Sequence, residues 1–341
     1  MQLAVRGIAA AVLMSTSPPL RAQDTTHAPF PAPGRLIDVG GWKLHLNCTG
    51  ERSKTGTAPT VILESGIGDF SVEWSLVQPG VAKFARVCSY DRGGDGWSEM
   101  GPYPRTYRQI VYELHTLLDR AGERGPFVLV GHSYGGWLVR AYQATYPAEV
   151  AGLVLLDGGS DDPMRQLPNG RLVHASELAT PTPIPMVKKT GPLTIAEIPP
   201  AALSAIRAGL ADASRTANES PRNLLPDSAQ RMRAWTLGRV EHVVAAQNPA
   251  ENEELAELRA QRMKNDKPLG DLPLVVVVRG LPEEQGPETA AREAERRKDF
   301  ELVAAFSRRG RLVIADKSAH HIHLQQPDLV VAIIREMTKG S

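Results

Sequence analysis

The chain has 341 residues, of which 42% are apolar and 23% charged, and its formal net charge is +1. This is the composition of an ordinary globular protein with enough apolar residues for a large core. A net charge so close to zero gives no indication that nucleic acid or an acidic membrane surface is a partner. The two cysteines, Cys48 and Cys88, are too few for a disulfide scaffold or a thiolate metal site, although one bridge between them could form in an oxidising compartment.

The first 22 residues have the layout of a secretory signal peptide. Arg6 precedes an apolar stretch of about eight residues, and Ala22 supplies the small residue expected before a cleavage point. This stretch is far shorter than the roughly 20 residues that span a bilayer. We therefore exclude 1–22 from the fold, expect export to the periplasm or the outside, and interpret the Ala- and Pro-rich segment 23–34 as an extended linker.

Strand and helix patterns alternate over the first part of the domain. Two β-like runs separated by Gly40-Gly41 predict a hairpin. Apolar runs then predict further strands, and residues 106–121 have the apolar spacing of an amphipathic helix. Such alternation indicates a parallel sheet with helices on both faces. The predicted strands are 35–39, 42–46, 60–64, 85–90, 127–130 and 153–156, and a second helix is predicted at 137–142.

The alternation stops at about residue 161 and resumes near 271. The intervening residues are Pro-rich and then helical, with a helix start predicted at Asn248-Pro-Ala-Glu251. Beyond them the pattern predicts strands at 274–278 and 311–315, a helix around 287–309 and a final helix from Pro327. The expected organisation is therefore one α/β core, 35–160 with 271–341, and a lid or cap insertion at 161–270.

The segment GHSYGG, residues 131–136, directly follows a buried-strand pattern and precedes a helix pattern. Gly131, Ser133 and Gly135 fit the G-x-S-x-G arrangement in which a nucleophilic serine occupies a sharp strand-to-helix turn. The flanking glycines would avoid backbone clashes, and the helix amino terminus would favour negative charge on a substrate. The alternative is a purely structural glycine turn.

Four motifs together give the chain a resemblance to the α/β-hydrolase superfamily, and especially to its carboxylesterases and lipases. They are ESGIGD at 64–69, YDRGGDGWS at 90–98, GHSYGG at 131–136 and HHIHLQQPD at 320–328. The resemblance covers 35–341 apart from the insertion. It implies a mostly parallel eight-stranded sheet with helices on both faces and a helical lid after the sixth strand, with no metal or organic cofactor.

The second motif invites comparison with a phosphate loop, but it lacks the required Lys-Ser/Thr. We expect it to be a structural turn in which Asp91 accepts hydrogen bonds from backbone amides. No G-x-G-x-x-G opens a helix after the first strand either, which disfavours a nucleotide-binding protein.

A serine hydroxyl needs a general base and two hydrogen-bond donors for the oxyanion. The family's pattern before the final helix places the base at His320, with His321 and His323 as neighbours that shape the pocket. The expected donors are the backbone N–H groups of Tyr134, directly after the serine, and of Ile67, in the loop after the third strand.

The triad acid has two candidates in the sequence. Most enzymes of this fold carry it after the seventh strand, where Glu283 has the family's spacing from Gly280. Some carry it after the sixth strand, where 153–156 ends directly in Asp157. We favour Asp157 because it stands at the carboxyl end of a buried strand, whereas Glu283 lies on a Pro/Gly-rich loop.

The family resemblance also makes the strands that carry Cys48 and Cys88 expected neighbours, so that export would allow a disulfide between them. The predicted function is a secreted serine hydrolase that cleaves carboxylic esters of small molecules through an acyl-enzyme. A serine nucleophile argues against dehalogenase and epoxide hydrolase chemistry, which need a carboxylate. Amide cleavage, as in proline-iminopeptidase-like enzymes, and carbon–carbon bond hydrolysis stay open, and a non-catalytic ligand-binding module is a further alternative. The sequence indicates no oligomeric state.

Overall fold

The computed structural model describes residues 28–339, apart from 53–57, 167–171, 178–190, 249, 284–285 and 287–288. The expected signal peptide at 1–22 and the first part of the expected linker lie outside the described residues. Among the helices that are described, none has the length and apolar character needed to cross a membrane.

Eight strands form one mixed sheet in the order β1-β2-β4-β3-β5-β6-β9-β10. The pairs β1–β2 and β2–β4 are antiparallel, and the other five pairs are parallel. The predicted mostly parallel eight-stranded sheet is thus confirmed, including the glycine hairpin. The strands of this sheet are β1 (Arg35–Asp38), β2 (Lys43–Thr49), β3 (Thr60–Glu64), β4 (Val87–Tyr90), β5 (Phe127–His132), β6 (Val150–Leu156), β9 (Leu274–Arg279) and β10 (Gly310–Ala315). Two further strands, β7 (Met164–Gln166) and β8 (Leu172–His174), form a separate pair.

Helices cover both faces of this sheet because its central strands are apolar on both sides. One buried apolar cluster joins one face to α2, α3 and α8, and a second joins the opposite face to α1 and α10. Thr106 caps α2 by accepting a hydrogen bond from the Gln109 amide. The helices are α1 (Gln78–Val81), α2 (Tyr107–Ala121), α3 (Tyr134–Thr145), α4 (Pro200–Thr216), α5 (Asp227–Leu237), α6 (Val240–Ala245), α7 (Glu251–Lys264), α8 (Thr289–Ala304), α9 (Ile322–Gln325) and α10 (Pro327–Lys339).

The connection from β6 to β9 contains the helices α4 to α7, as its sequence predicts, together with a short antiparallel pair, β7–β8, that the sequence did not indicate. Helix α7 begins at Glu251 rather than directly after Asn248. The Asn248 Oδ1 accepts a hydrogen bond from the Ala250 amide, 3.1 Å away, and so closes a turn that precedes the helix. Pro249 lies outside the described residues.

A disulfide joins Cys48 to Cys88. The two residues are directly opposite each other on the antiparallel strands β2 and β4. The bond closes a sequence separation of 40 residues, so it constrains the unfolded chain.

Candidate active site

Ser133 lies on the turn between β5 and α3, with φ 52° and ψ −118°. A positive φ is rare for a residue with a side chain and marks a backbone that its surroundings hold in place. The flanking glycines are required for close packing: a β-carbon at Gly131 would lie 2.4 Å from the Gly135 carbonyl oxygen, and one at Gly135 would lie 2.5 Å from that of Glu64. The local sequence therefore holds this hydroxyl at the carboxyl edge of the sheet.

His320 and Asp157 meet at the same edge. Asp157 directly follows β6 and is 3% exposed, and His320 lies in the loop after β10. The His320 Nδ1 lies 2.6 Å from the Asp157 Oδ2, and the Arg296 guanidinium lies 2.5 Å from the same oxygen. Burial acts to raise the pKa of the Asp157 carboxyl, but Arg296 and the hydrogen bond from His320 outweigh it and hold that pKa well below its ordinary value. Asp157 is therefore ionised.

An ionised Asp157 fixes the protonation pattern of His320. The carboxylate only accepts, so Nδ1 carries the proton and Nε2 of the neutral ring keeps its lone pair. The His132 Nε2 donates to the His320 carbonyl over 3.0 Å and so ties the residue next to Ser133 to this loop. Ser133 and His320 are not hydrogen-bonded to each other, and in enzymes without substrate such contacts are often long.

Glu283, the alternative acid, pairs with an arginine and not with His320. Its side chain is 49% exposed and pairs with Arg279, whose Nη1 is 2.6 Å from the Glu283 Oε2. The carboxylate that contacts His320 is that of Asp157.

The loop after β3 brings Ile67 close to Ser133. The Asp69 amide donates to the Gly66 carbonyl over 3.2 Å and closes a turn around Ile67. A β-carbon at Gly66 would lie 3.4 Å from the Ser133 Cβ, which shows how closely this loop approaches the serine. The amide of Tyr134, as the first of α3, has no partner within the helix. The loop that carries Ile67 and the first turn of α3 thus both lie beside the serine.

The two other histidines of the late loop are not equivalent. His323 is 1% exposed, and its ring packs 4.9 Å from that of Trp74, centroid to centroid. His321 is half-buried; its burial and the charge of Arg222 lower its pKa to about 3. His321 is therefore neutral at ordinary pH.

Residues from the β6–β9 connection also reach the loop of Ile67. The Asp69 carboxylate pairs with Arg222 at 3.1 Å and with Arg233 at 3.0 Å. Burial acts to raise the pKa of Asp69, but these two guanidinium groups outweigh it and hold the pKa well below its usual range. Arg233 is itself buried and also pairs with Glu73.

A family model described as alpha/beta hydrolase fold matches residues 59–173, which include Ser133 and Asp157.

Comparisons with whole proteins extend the match over almost the full chain. An AB hydrolase superfamily protein of Gibberella zeae is 25% identical over 312 residues, which are 87% of this chain and 91% of that protein. The enol-lactonase from Burkholderia xenovorans LB400 superposes with a TM-score of 0.58 at 17% identity, over 89% of this chain and 100% of that one. A thermophilic esterase from Thermogutta terrifontis superposes with a TM-score of 0.54 at 19% identity, over 88% of this chain and 94% of the esterase. Together with the family model, these comparisons support membership of the α/β-hydrolase superfamily, whose fold the chain has.

Other relatives match this α/β-hydrolase over shorter stretches. Two curated relatives with 31% and 32% identity are matched over only 20% and 29% of their own length. At less than 25% identity, the likeness to solved structures shows the fold alone.

The arginines around the site were not predicted from the sequence. Arg296 belongs to a run of charged residues on α8 that has the pattern of a solvated helix surface. Arg222 and Arg233 lie more than 150 positions from Asp69 along the chain. Nothing in the local sequence indicates these contacts.

Proposed function

We propose that this α/β-hydrolase is a serine hydrolase that cleaves carboxylic esters of small molecules through an acyl-enzyme. The observation that carries the proposal is the 2.6 Å contact between the His320 Nδ1 and the buried Asp157 carboxylate, beside a serine held at a positive φ. This arrangement leaves a lone pair on the His320 Nε2, so this nitrogen can accept a proton.

Acylation follows from these positions. The Ser133 oxygen attacks the ester carbonyl while the His320 Nε2 takes its proton. The carbonyl oxygen becomes an oxyanion, which accepts hydrogen bonds from the amides of Ile67 and Tyr134. When the tetrahedral intermediate collapses, the ester C–O bond breaks and His320 protonates the leaving alcohol. Asp157 stays ionised and stabilises the imidazolium.

Deacylation repeats the same steps with water. His320 takes a proton from water, the resulting hydroxide attacks the acyl carbon, and the bond to Ser133 breaks. Ser133 regains its proton from His320, and the carboxylic acid leaves. Epoxide opening on this fold would instead need a carboxylate at the position of Ser133.

We also propose that residues 161–270 act as a lid. The support is that Arg222 and Arg233 of this segment contact Asp69 in the loop of Ile67, and that the Asn248 Nδ2 lies 3.4 Å from the Tyr134 hydroxyl. A segment in this position would enclose a pocket for small substrates.

We propose that the protein is exported from the cytoplasm. The layout of residues 1–22 supports it, and so does the disulfide between Cys48 and Cys88, because disulfides persist mainly in oxidising compartments.

The proposal is tested with chromogenic esters of increasing acyl length and with matched anilides. We expect turnover of esters above that of anilides, and a loss in kcat on the order of 10⁶ for Ser133→Ala, because the triad acts as a unit. Ser307→Ala is the matched control, since Ser307 is also a buried serine but hydrogen-bonds the Leu272 carbonyl, near the start of β9 and away from the site. Ester turnover that survives in Ser133→Ala would disprove the serine mechanism, and faster turnover of anilides would change the substrate class to amides.

A further inference from the structure

Arg92 is a buried arginine outside the triad that contacts the loop of Ile67 at several points. It is 6% exposed and lies two residues after β4. Its guanidinium donates to the backbone carbonyls of Ser65, at 2.7 Å, of Gly66, and of Asp69, at 3.0 Å. It also pairs with the Glu64 carboxylate at 2.7 Å. One side chain thus holds carbonyl oxygens on both sides of Ile67.

The contact with Gly66 determines where the Ile67 amide points. The carbonyl of Gly66 and the N–H of Ile67 belong to the same peptide unit, and in a planar trans peptide these groups point in opposite directions. Because Arg92 holds the Gly66 oxygen on one side, the Ile67 N–H is directed to the other. The closeness of Gly66 to the Ser133 Cβ places this peptide next to the nucleophile.

The same guanidinium contacts the residue that carries the second amide. The Arg92 Cζ lies 5.7 Å from the centre of the Tyr134 ring, within the range of a cation–π contact. Arg92 therefore contacts both the peptide between Gly66 and Ile67 and the side chain of Tyr134.

The position of Arg92 is itself fixed, and its contacts require an arginine. Glu64 is fully buried, and its second carboxylate oxygen accepts a hydrogen bond from the Tyr90 hydroxyl. A planar guanidinium presents five donors in a rigid fork, whereas a lysine ammonium presents three on a flexible stem. Lysine could keep the charge next to Glu64 but could not reach three carbonyls at once.

We propose that Arg92 is a positioning residue that holds the Ile67 amide in the oxyanion hole. This inference rests on the proposed serine esterase function. It assigns a role in the reaction to the YDRGGDGWS turn beyond the structural one expected from the sequence.

The test compares Arg92→Lys with Arg105→Lys. Arg105 is equally buried and pairs through both terminal nitrogens with Glu113, at 2.8 and 2.6 Å, away from the loop of Ile67. Each variant is assayed with an ester and with the matched thiono ester, whose sulfur accepts hydrogen bonds weakly. Titration with a serine-directed phosphonate gives the concentration of reactive active sites. The kcat is calculated from this concentration, so that misfolded protein does not lower it.

We expect Arg92→Lys to lose about 10²-fold in kcat for the oxygen ester with little change in KM, the size of effect seen when one oxyanion donor is lost. The ratio of the rate for the oxygen ester to the rate for the thiono ester should also fall in Arg92→Lys. In Arg105→Lys, we expect the kcat and this ratio to stay at their wild-type values. A purely structural role would lower the rates of the two substrates alike, so an unchanged preference in Arg92→Lys, or an equal fall in Arg105→Lys, would overturn the assignment.

If Arg92→Lys does not fold, Glu64→Gln provides the same test with a smaller expected loss in kcat. It removes the charge that anchors Arg92, and we expect about a 10-fold loss in kcat with a reduced oxygen preference. An unchanged preference in a folded Glu64→Gln protein would then overturn the assignment. Ester turnover that is absent from the wild type, or that survives in Ser133→Ala, would instead overturn the proposed function.

Discussion

Replacing Asp157 by asparagine separates the two candidate acids. Asparagine is the suitable substitution because Asp157 has φ 46°, a left-handed conformation that Asn tolerates better than most residues. It also keeps the side-chain shape while it removes the charge. The expected effect is therefore on His320 rather than on the backbone.

The size of the effect follows from the contacts of the carboxylate. Asp157 accepts the proton of the His320 Nδ1 at 2.6 Å. An amide that presents its NH₂ to His320 would require Nδ1 to accept, so that the proton would sit on Nε2 and the ring could not take the proton of Ser133. The loss of the correct tautomer costs about 10⁴ in kcat in a serine protease triad. At about 1.36 kcal/mol for each factor of ten, this is roughly 5.4 kcal/mol of transition-state stabilisation.

The assay measures kcat and KM for a chromogenic ester with the wild type, Asp157→Asn and Glu283→Gln. Thermal unfolding verifies that each variant is folded. Glu283→Gln should retain its rate, because Glu283 is half exposed and pairs with Arg279. The assignment of Asp157 would be refuted by a folded Asp157→Asn protein at near wild-type rate, and above all by a collapse of the rate in Glu283→Gln alone.

Three further outcomes are expected. His320→Ala should be nearly as inactive as Ser133→Ala, while His321→Ala keeps substantial ester turnover; the reverse order would move the base to His321. Removing the disulfide by Cys48→Ser with Cys88→Ser should lower the unfolding free energy by roughly 3–4 kcal/mol, measured by urea titration, because its 40-residue separation no longer restricts the unfolded chain; an unchanged midpoint would contradict this. Burial raises the pKa of Glu254 from 4.5 to about 7, so the folded state holds a proton that the unfolded state releases, and stability should fall as pH rises from about 4.5 to about 7. In urea titrations across this pH range, the unfolding free energy of Glu254→Gln should fall less with pH than that of the wild type. An equal fall in the two proteins would show that Glu254 does not cause the pH dependence.

The fold class and the turn that carries Ser133 were predictable from the sequence alone. Both depend on interactions between residues close in the chain: alternating apolar runs specify buried strands and helix faces, and the glycines around Ser133 specify a turn with no room for side chains. The start of α7 shows the limit of such signals, because Asn248 hydrogen-bonds to a turn amide before the helix begins.

The tertiary structure alone decided which charged groups meet. Asp157 and Glu283 both follow a strand at the same edge of the sheet, and only the path of the chain beyond each strand places one carboxylate on His320 and the other on Arg279. The contacts of Arg92 with the loop of Ile67 likewise join segments more than 20 positions apart. A charged residue in a sequence looks the same whether it is solvated or buried in a pair, and the difference arises only when the fold removes water from both partners.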